Sequence, residues 1–419
     1  MLGAIADDAT GAVDLASNLV SRGFRTRLRL GAPTDQPAAA NGGDCDALVV
    51  GLKSRTAPLA QALASTGAAL DWLVAAGARR VYVKYCSTFD STPRGNIGPV
   101  CDLVVERLGA GPAVVAVSFP DNGRTVYQGH LFVEDRLLSD SSMARHPLTP
   151  MTDSNLVRVL GRQTGAGVAL VPLTVVRRGA EAVAQAIRDI GARGLRYAVV
   201  DAIDNADLAV IAQATAQDTV VTGASGLALG LTGPRAQAAH APPDSVRPGP
   251  RVVLAGSASS VTKAQLARAG EAGVPIFRLD PDAIRSSAAQ AFERARQRFA
   301  DAPGSVAIIA PARSDDPVDA TSPGGAERAA ALESALGGLA RRFVALGARR
   351  IIVAGGETSG AVAQALAVAE LSLGRIISPG VAWAFGQATV EGRATPVALA
   401  LKSGNFGPES MFVDAWSLD

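Results

Sequence analysis

The sequence predicts an α/β protein with two domains, each a mainly parallel sheet flanked by helices, and a β-hairpin inserted in the first. Short apolar runs alternate with Ala-rich amphipathic segments from end to end, which is the pattern of successive βα units. The chain has 419 residues, and at roughly 100 to 200 residues per domain this length favours two or three domains. The Pro-rich stretch "GPRAQAAHAPPDSVRPGP" at 233–250 has no apolar periodicity and is typical of a linker.

The first domain is predicted over residues 1–235. Its strands are expected near 2–6, 25–30, 47–51, 80–85, 113–118, 168–172, 197–201 and 219–222. Helices are expected between most of them, for example over 57–76 and 180–191. The segment 119–150, which contains "GRTVYQGHLFVEDRLL", departs from this alternation and predicts a hairpin at a domain or subunit edge. Such an edge would allow a homodimer.

The second domain is predicted over 251–419, after a linker at 236–250. The alternation restarts with "RVVLAGSASS" at 251, and further strands are expected near 276–279, 305–310, 350–354 and 397–402. This division places the domain boundary near 235–250.

The composition favours small molecules as partners. Basic residues number 40 and acidic residues 38, and no basic block interleaved with aromatic residues indicates a nucleic-acid surface. The start "MLGAIADD" has no basic region followed by an apolar one, and no apolar run reaches about 18 residues, so neither a signal peptide nor a membrane span is expected. We therefore expect a cytoplasmic protein.

Cysteine and histidine offer little to metal or nucleophilic chemistry. The three Cys are scattered and odd in number, which argues against a disulfide framework or a thiolate metal site. The three His have no metal-ligand spacing, so zinc chemistry and a Ser-His-Asp triad are both poorly supported. The sequence assigns no metal ligands.

Two adjacent carboxylates follow the first predicted strand in "IADDATGAVDLASNL". Ligands of open α/β sheets bind outside the carboxyl ends of the strands, so Asp7 and Asp8 are candidates for substrate binding or proton transfer. The alternative is that one carboxylate caps the following helix. Both interpretations can hold, one for each residue.

A second polar loop follows the strand at 80–85, in "VYVKYCSTFDSTPRGNIG". Lys84 and Arg94 can neutralise a carboxylate, and the hydroxyls of Ser87, Thr88, Ser91 and Thr92 can bind those of a polyol. Helix capping and turn chemistry would explain some of these residues, but not a lysine at a strand end beside so many hydroxyls. The loop predicts a site for a small hydroxylated acid, and "GLKSRTA" at 51–57 adds polar residues at another strand end.

In the second domain, Gly and small hydroxyl residues follow three strands, in "VVLAGSASS", "IIVAGGETSGAV" and "LALKSGNFG". Glycine lets a backbone approach a ligand closely, and the amides at a helix start bind phosphate. Together the three loops predict a nucleotide site. Neither the P-loop pattern nor the dinucleotide fingerprint occurs at these places.

A charged, hydroxyl-rich domain joined to a glycine-rich one suits phosphoryl transfer from a nucleotide to a small acid. This chemistry needs positioning, charge neutralisation and a carboxylate to accept a proton, and it needs neither His nor Cys. An NAD-dependent dehydrogenase of a small hydroxy acid is an alternative of a different class, but it would require a dinucleotide fingerprint. A non-catalytic binding protein would, if periplasmic, require a secretion signal.

Several long motifs resemble the four-carbon acid sugar kinase family over essentially the whole chain. They are "IADDATGAVDLA", "KYCSTFDSTPRGNIGPV", "FPDNGRTVYQGHLFV", "HPLTPMTDSNLVRVLGRQT", "GGETSGAV", "SPGVAW" and "LKSGNFG". The resemblance implies an N-terminal acid-sugar-binding domain, a C-terminal nucleotide-binding domain, and ATP and Mg²⁺ as cofactors. It also implies phosphorylation of the 4-hydroxyl of a 3-oxo-tetronate, with threonate or erythronate as alternative acceptors.

The resemblance also implies roles for individual residues. It implies that Asp7 and Asp8 belong to the substrate site. Because two carboxylates stand together at a strand end, we also expect them to be catalytic, with one of them accepting the proton of the attacking hydroxyl. The substrate residues would be Ser54, Arg55, Lys84, Ser87, Thr88 and Asp90, with Arg94 added from the loop chemistry. The ATP-binding residues would be Ser257, Gly355, Gly356, Glu357, Thr358 and Gly404. Capping of a helix N-terminus explains Glu357 equally well.

Overall fold

The computed structural model describes residues 1–35, 37, 45–146, 149–236, 246, 249–311 and 325–417. The chain divides into two compact units, Met1–Ala238 and Ala239–Asp419. Most of the predicted linker, 236–250, falls outside the described residues. In the part of the chain that is described, no helix is both long and apolar enough to cross a membrane.

The first unit is built mainly of βα units. Its strands are β1 (Leu2–Ala6), β2 (Thr26–Leu30), β3 (Ala47–Gly51), β4 (Arg80–Lys84), β5 (Ala113–Ala116), β6 (Arg124–Tyr127), β7 (His130–Val133), β8 (Arg136–Leu137), β9 (Val168–Val171), β10 (Tyr197–Val200) and β11 (Val220–Gly223). Its helices are α1 (Ala9–Ser21), α2 (Leu59–Ala75), α3 (Ile97–Arg107), α4 (Leu156–Gly161), α5 (Leu173–Val176), α6 (Ala180–Ala192) and α7 (Asn205–Ala214). The predicted strands of this unit all form, with small differences at their ends.

A parallel sheet organises this unit, with the strand order β2-β3-β1-β4-β11-β5-β10-β9. All five residues of β1 are buried, as expected for a parallel strand covered by helices on both faces. In the register of the sheet, Ala6 of β1 lies beside Gly51 of β3 and Lys84 of β4. The loops that follow these three strands therefore leave the sheet at the same edge.

The predicted hairpin is confirmed, and it carries a third short strand. β6 pairs antiparallel with β7, and β7 pairs with β8. At the turn between β6 and β7, the backbone N–H groups of Gln128 and Gly129 donate to the carboxylate of Asp201, at 2.8 and 2.9 Å. The N–H of Leu173 donates to the same carboxylate at 3.0 Å. One buried side chain thus anchors the hairpin to the end of β10.

The second unit contains strands β12 (Arg251–Ala255), β13 (Ile276–Leu279), β14 (Val306–Pro311), β15 (Arg350–Ala354), β16 (Glu370–Ser378), β17 (Val381–Val390) and β18 (Arg393–Lys402). Its helices are α8 (Ser260–Glu271), α9 (Ile284–Asp301), α10 (Gly325–Ala345), α11 (Gly356–Ala365) and α12 (Met411–Asp414). The strand order is β13-β14-β12-β15-β18-β17-β16. The pairs from β13 to β18 are parallel, so the prediction of a mainly parallel sheet is confirmed.

Strands β16 and β17 are absent from the sequence prediction, which expects no strand between 354 and 397. They pair antiparallel with each other, and β17 pairs antiparallel with β18. Glu391 and Gly392 join β17 to β18, and both have positive φ, 52° and 73°. Two such residues form the type I′ turn that suits a two-residue hairpin. The chain here leaves the βα pattern on which the prediction depends.

Candidate active site

The first part of the site forms where β1 ends. Asp8 is in an extended conformation, with φ −146° and ψ 164°, and caps α1 by accepting a hydrogen bond from the N–H of Gly11. Asp7 precedes the cap, and its N–H donates to the carbonyl of Lys84 at 3.1 Å. The helix-cap interpretation therefore applies to Asp8, while the carboxylate of Asp7 faces the loop after β3.

Arg55, in the loop after β3, joins three carboxylates. Its Nε and Nη2 donate to the two oxygens of Asp7, at 2.7 and 2.9 Å, in the bidentate geometry that suits a guanidinium. Its Nη2 lies 2.6 Å from Oδ2 of Asp8, and its Nη1 lies 3.8 Å from Oδ2 of Asp90. The residues predicted from three separate loops thus form one ionic cluster.

The charges within this cluster keep Asp8 and Arg55 ionised. Burial alone would raise the pKa of Asp8, but the charges of Arg55 and Lys84 and the N–H of Gly11 lower it below its usual value. Burial likewise opposes the charge of Arg55, and the two neighbouring carboxylates, Asp7 foremost, raise its pKa well above the usual value. Asp8 is therefore a carboxylate at neutral pH, able to accept a hydrogen bond or contact a cation.

Lys84 brings an ammonium group to this cluster from the end of β4. Its side chain is 4% exposed. A Cβ atom at Gly11 would lie 2.0 Å from Nζ of Lys84, so only glycine leaves room for the lysine beside the start of α1. Within the described part of the chain, Nζ donates no hydrogen bond. The donors of Lys84 are therefore available to a ligand, in a pocket also lined by Asp7, Ser54 and Arg55.

The loop after β4 is held by its own side chains. Thr88 donates a hydrogen bond to Oδ1 of Asp90 at 2.6 Å, and Asp90 faces the guanidinium of Arg55. Phe89 between them has a positive φ of 50°, and its buried ring packs edge-on against Tyr85 with the centroids 5.4 Å apart. A large residue in this backbone conformation is strained, and such strain is frequent at binding sites.

The other hydroxyls and the arginine of this loop lie outside the ionic cluster. The hydroxyl of Ser91 accepts a hydrogen bond from Gln163 at 2.7 Å, and the same amide donates to the carbonyl of Thr92. Ser91 and Thr92 therefore have the structural role that the alternative interpretation gave them. Ser87 is half-buried, whereas Arg94 is exposed and makes no ion pair within the described residues. The predicted roles of Ser87 and Arg94 stay predictions.

Two residues at this site were missed by sequence reasoning. Asn96 donates to the carbonyls of Ser54 and Ala57, at 2.7 and 2.9 Å, and thereby fixes the loop after β3 to the start of α3. Asp14 lies in α1 with 5% exposure and accepts a hydrogen bond from the hydroxyl of Ser225. Burial raises the pKa of Asp14 to about 6, against the lowering effects of Lys84 and Ser225. The sequence feature that could have indicated Asp14 is a single carboxylate among the apolar residues of α1.

Cys86, which lies in the loop after β4, is not a reactive thiol. Its sulfur lies 3.0 Å from the hydroxyl of Thr88. Burial, together with the charge of Asp90, raises its pKa to about 11, so the thiolate is scarce at neutral pH.

In the second unit, the three glycine-rich loops meet at the carboxyl ends of their strands. A Cβ atom at Gly256 would lie 2.1 Å from the hydroxyl of Thr358, and one at Gly404 would lie 2.3 Å from the hydroxyl of Ser257. Gly355, just before α11, has a φ of 126°, which side chains rarely tolerate. Glycine therefore fits best at all three places. Of the six residues predicted to hold the nucleotide, Ser257, Thr358, Gly355 and Gly404 make these close contacts, and Gly356 is the neighbour of Gly355. Glu357 is not part of these contacts.

Two helices begin at these loops. Ser259 caps α8 by accepting a hydrogen bond from the N–H of Thr262 at 3.2 Å. α11 starts at Gly356, and no side chain caps its N-terminus. Its first-turn amides carry a partial positive charge, which suits a phosphate group. Glu357 lies in the first turn of α11 with its side chain exposed.

Lys402 at the end of β18 is a third residue that sequence reasoning missed. Its side chain has no exposed surface, and Nζ donates to the hydroxyl of Thr262 and the carbonyl of Gly404, at 3.1 and 3.0 Å. Burial lowers its pKa to about 7. The signal was a lysine closing an apolar strand in "LALK", as Lys84 does in "VYVK".

The described residues offer no cluster of three or more His, Cys, Asp or Glu that could hold a metal ion. An Mg²⁺ ion commonly takes one or two carboxylates and completes its shell with phosphate oxygens and water. Glu357, which follows β15 in the second unit, is an oxygen ligand of this type, so this residue fits an ion that arrives with a nucleotide.

Comparison with known proteins agrees with the two kinds of site. Residues 2–231 match the family of sugar-binding N-terminal domains, and residues 252–412 match the family of nucleotide-binding C-terminal domains. The chain therefore belongs to the family that joins these two domains, the four-carbon acid sugar kinase family to which its motifs point.

Relatives of known name are similar over the full length. The chain is 47% identical to the 3-oxo-tetronate kinase of Cupriavidus necator, over 99% of this chain and 96% of that protein. It is also 47% identical to the 3-oxo-tetronate kinase of Burkholderia multivorans, over 98% of this chain and 96% of that protein. A crystal structure of a Salmonella typhimurium protein, described as a tRNA synthase, matches with a TM-score of 0.87 at 38% identity, covering 99% and 98% of the two chains.

Proposed function

We propose that this protein is an ATP-dependent kinase that transfers a phosphoryl group to the 4-hydroxyl of a 3-oxo-tetronate, giving the 4-phosphate and ADP. One observation carries the proposal. In a chain 47% identical to 3-oxo-tetronate kinases, the polar and glycine-rich motifs form an ionic cluster at the strand ends of the first unit and a glycine-lined site at those of the second. The first unit would bind the acid sugar and the second the nucleotide.

The acid sugar has two features to recognise, a carboxylate and hydroxyl groups. Lys84 has unused donors in a buried position, which suits a carboxylate. Arg55 is already engaged by Asp7 and Asp8, so it holds the cluster together and contacts substrate with its remaining donors. The hydroxyls of Ser54, Ser87 and Thr88, with Asp90 and Arg94, complete the proposed substrate site.

Either Asp7 or Asp8 accepts the proton of the attacking 4-hydroxyl. Both carboxylates stand at the end of β1, and the lowered pKa of Asp8 keeps it ionised. In phosphoryl transfer the main task of the base is to orient the attacking hydroxyl, because the transition state is largely dissociative. Charge neutralisation and positioning by the other residues of the cluster supply most of the catalysis.

On the donor side, the backbone and hydroxyls of Ser257, Gly355, Gly356, Thr358 and Gly404 would hold the phosphates of ATP. Mg²⁺ would bind to these phosphates, with Glu357 as the carboxylate offered by the second unit, and would neutralise charge on the transferred group. Because phosphate oxygens supply most of its ligands, such an ion does not require a protein cage of several carboxylates.

The proposal extends to the cellular compartment and the binding partners of the protein. We infer a cytoplasmic enzyme acting on small molecules, since no basic block interleaved with aromatic residues occurs among the 40 basic and 38 acidic residues of the sequence. The hairpin, with Tyr127 47% exposed, is the proposed contact of a homodimer. Light scattering at two protein concentrations tests the dimer.

Titration calorimetry with ATP and Mg²⁺, and separately with NAD, tests the class of enzyme. We expect ATP to bind and NAD not to bind; binding of NAD alone would favour the dehydrogenase. The Asp7→Asn and Asp8→Asn variants test the base, and at least one of them should lose kcat by about 100-fold or more. Near wild-type turnover in both variants would place the base elsewhere.

A further inference from the structure

Lys402 is a fully buried lysine for which the phosphoryl-transfer reaction, as described so far, has no use. No carboxylate of the described residues forms an ion pair with its Nζ. The groups that face the amine are the Thr262 hydroxyl from α8, the Gly404 carbonyl, and the ring of Phe412 from α12, whose centre is 6.0 Å away. None of these three groups carries a charge. Burying an amine without a counter-ion is unfavourable, which indicates that Lys402 has a function in this unit.

The amine fixes the direction of one peptide group. The carbonyl of Gly404 accepts hydrogen bonds from Lys402 Nζ at 3.0 Å, from Ser259 Oγ at 2.6 Å and from Thr262 Oγ1 at 3.0 Å. Three donors on one carbonyl hold it towards the interior of the unit. Because a trans peptide is planar, the N–H of Asn405 must then point the opposite way.

That N–H points away from the interior at the place where the glycine-rich loops meet. Asn405 is exposed, and its backbone N–H donates to no group within the described residues. Gly404, which precedes it, is so close to Ser257 that a Cβ atom would come within 2.3 Å of the serine hydroxyl. The Asn405 amide is therefore an accessible donor of the third loop, next to the glycine that contacts Ser257.

We propose that Lys402 is a positioning residue for nucleotide binding: it holds the Gly404 carbonyl inward and so presents the Asn405 N–H to a nucleotide phosphate. The proposal rests on the proposed nucleotide site of the second unit. Phosphate brings negative charge near the amine, which favours the protonated form. Since burial lowers the pKa of free Lys402 to about 7, the protein should take up a proton when a nucleotide binds above this pH.

The test is titration calorimetry of the full chain with Mg²⁺ and the non-hydrolysable ATP analogue AMP-PNP. Titrations at about pH 8 in two buffers of different ionisation enthalpy give the number of protons taken up. We expect wild type to take up a substantial fraction of one proton, and Lys402→Met to take up none and to bind at least about tenfold more weakly. The KM for ATP should rise in parallel, whereas the KM for the acid sugar should stay within a factor of about two.

Lys84→Met is the matched control, because Lys84 also closes an apolar strand and is also buried, but in the other unit. It should keep wild-type affinity for AMP-PNP and wild-type proton uptake. Thr262→Val removes one of the three donors to the Gly404 carbonyl and one of the two acceptors of the Lys402 amine, but keeps the amine and its bond to Gly404. It should weaken AMP-PNP binding several-fold, with proton uptake still measurable. If Lys402→Met does not fold, the Thr262→Val variant still tests whether the orientation of the Gly404 carbonyl affects nucleotide binding.

The outcomes separate the two proposals. Wild type that binds AMP-PNP without taking up a proton, or a folded Lys402→Met variant with unchanged affinity, would overturn the role of Lys402 and leave the kinase proposal standing. Wild type that binds neither AMP-PNP nor ATP would instead contradict the proposed function itself.

Discussion

Replacing Asp14 by Asn should stabilise the first unit at neutral pH. Asp14 is 5% exposed; Ser225 donates to its Oδ2, whereas Oδ1 has no hydrogen-bond partner among the described residues. Burial raises the pKa of this carboxyl to about 6, although Lys84 and Ser225 act in the opposite direction. The ionised form therefore opposes folding, and Asn keeps the shape of the side chain without the charge.

The sign and size of the effect follow from the pKa. A carboxyl whose pKa is higher in the folded state binds more protons there than in the unfolded chain. Its contribution to stability is therefore complete below the unfolded value of 3.8 and is lost as the pH rises through about 6. The shift from 3.8 to about 6 corresponds to about 3 kcal/mol. Roughly 2 kcal/mol of this develops between about pH 4.5 and pH 8.

The assay is urea unfolding followed by circular dichroism at steps between about pH 4.5 and pH 8. The free energy of unfolding of Asp14→Asn, minus that of wild type, should grow with pH by roughly 2 kcal/mol and level off above about pH 7. Asp71→Asn is the control, since Asp71 is 72% exposed in a surface ion pair with Arg107 and should follow wild type at every pH. A difference for Asp14→Asn that does not change with pH would refute the reasoning.

Three further substitutions follow from contacts in the structure. Gly11→Ala would place a Cβ atom 2.0 Å from Nζ of Lys84 and should raise the KM for the acid sugar at least about tenfold, with AMP-PNP affinity unchanged in calorimetry. Gly404→Ala would place a Cβ atom 2.3 Å from the hydroxyl of Ser257; it should weaken AMP-PNP binding and leave the KM for the acid sugar unchanged. Equal effects of both substitutions on both ligands would contradict the assignment of the acid sugar to the first unit and the nucleotide to the second. Asp201→Ala leaves three backbone N–H groups without their acceptor and should lower the free energy of unfolding by on the order of 3 kcal/mol, measured by urea unfolding; a loss below about 1 kcal/mol would deny its role as anchor.

Much of the fold could be predicted because βα units have a strong local signal. Apolar runs such as 2–6 and 350–354 are strands in the structure at the predicted places. The antiparallel strands β16 and β17 were missed because they follow one another without the intervening helix that marks successive parallel strands. The glycine of the Glu391-Gly392 turn is typical of a hairpin turn, but a glutamate with positive φ is uncommon, so the pair does not predict a turn strongly.

Much of the site was predicted from polar residues at the ends of strands. Asp7, Arg55 and Lys84 follow or close apolar runs, and the parallel register brings them to one edge. Asp14 was missed because it lies inside α1, where a charge is ordinarily read as solvated surface. Lys402 was missed although it closes β18 as Lys84 closes β4, because the prediction for its loop used only the glycine and the small hydroxyl residues. Only packing reveals that both are buried.

The proposed kinase activity is tested by an ADP-release assay with ATP and Mg²⁺ over a panel of four-carbon acids and their 3-oxo forms. A 3-oxo-tetronate should have the highest kcat/KM in the panel, above threonate and erythronate, and phosphorus NMR of the product should place the phosphate on the 4-hydroxyl. ADP release with none of these acids, or a phosphate at another position, would contradict the proposed activity.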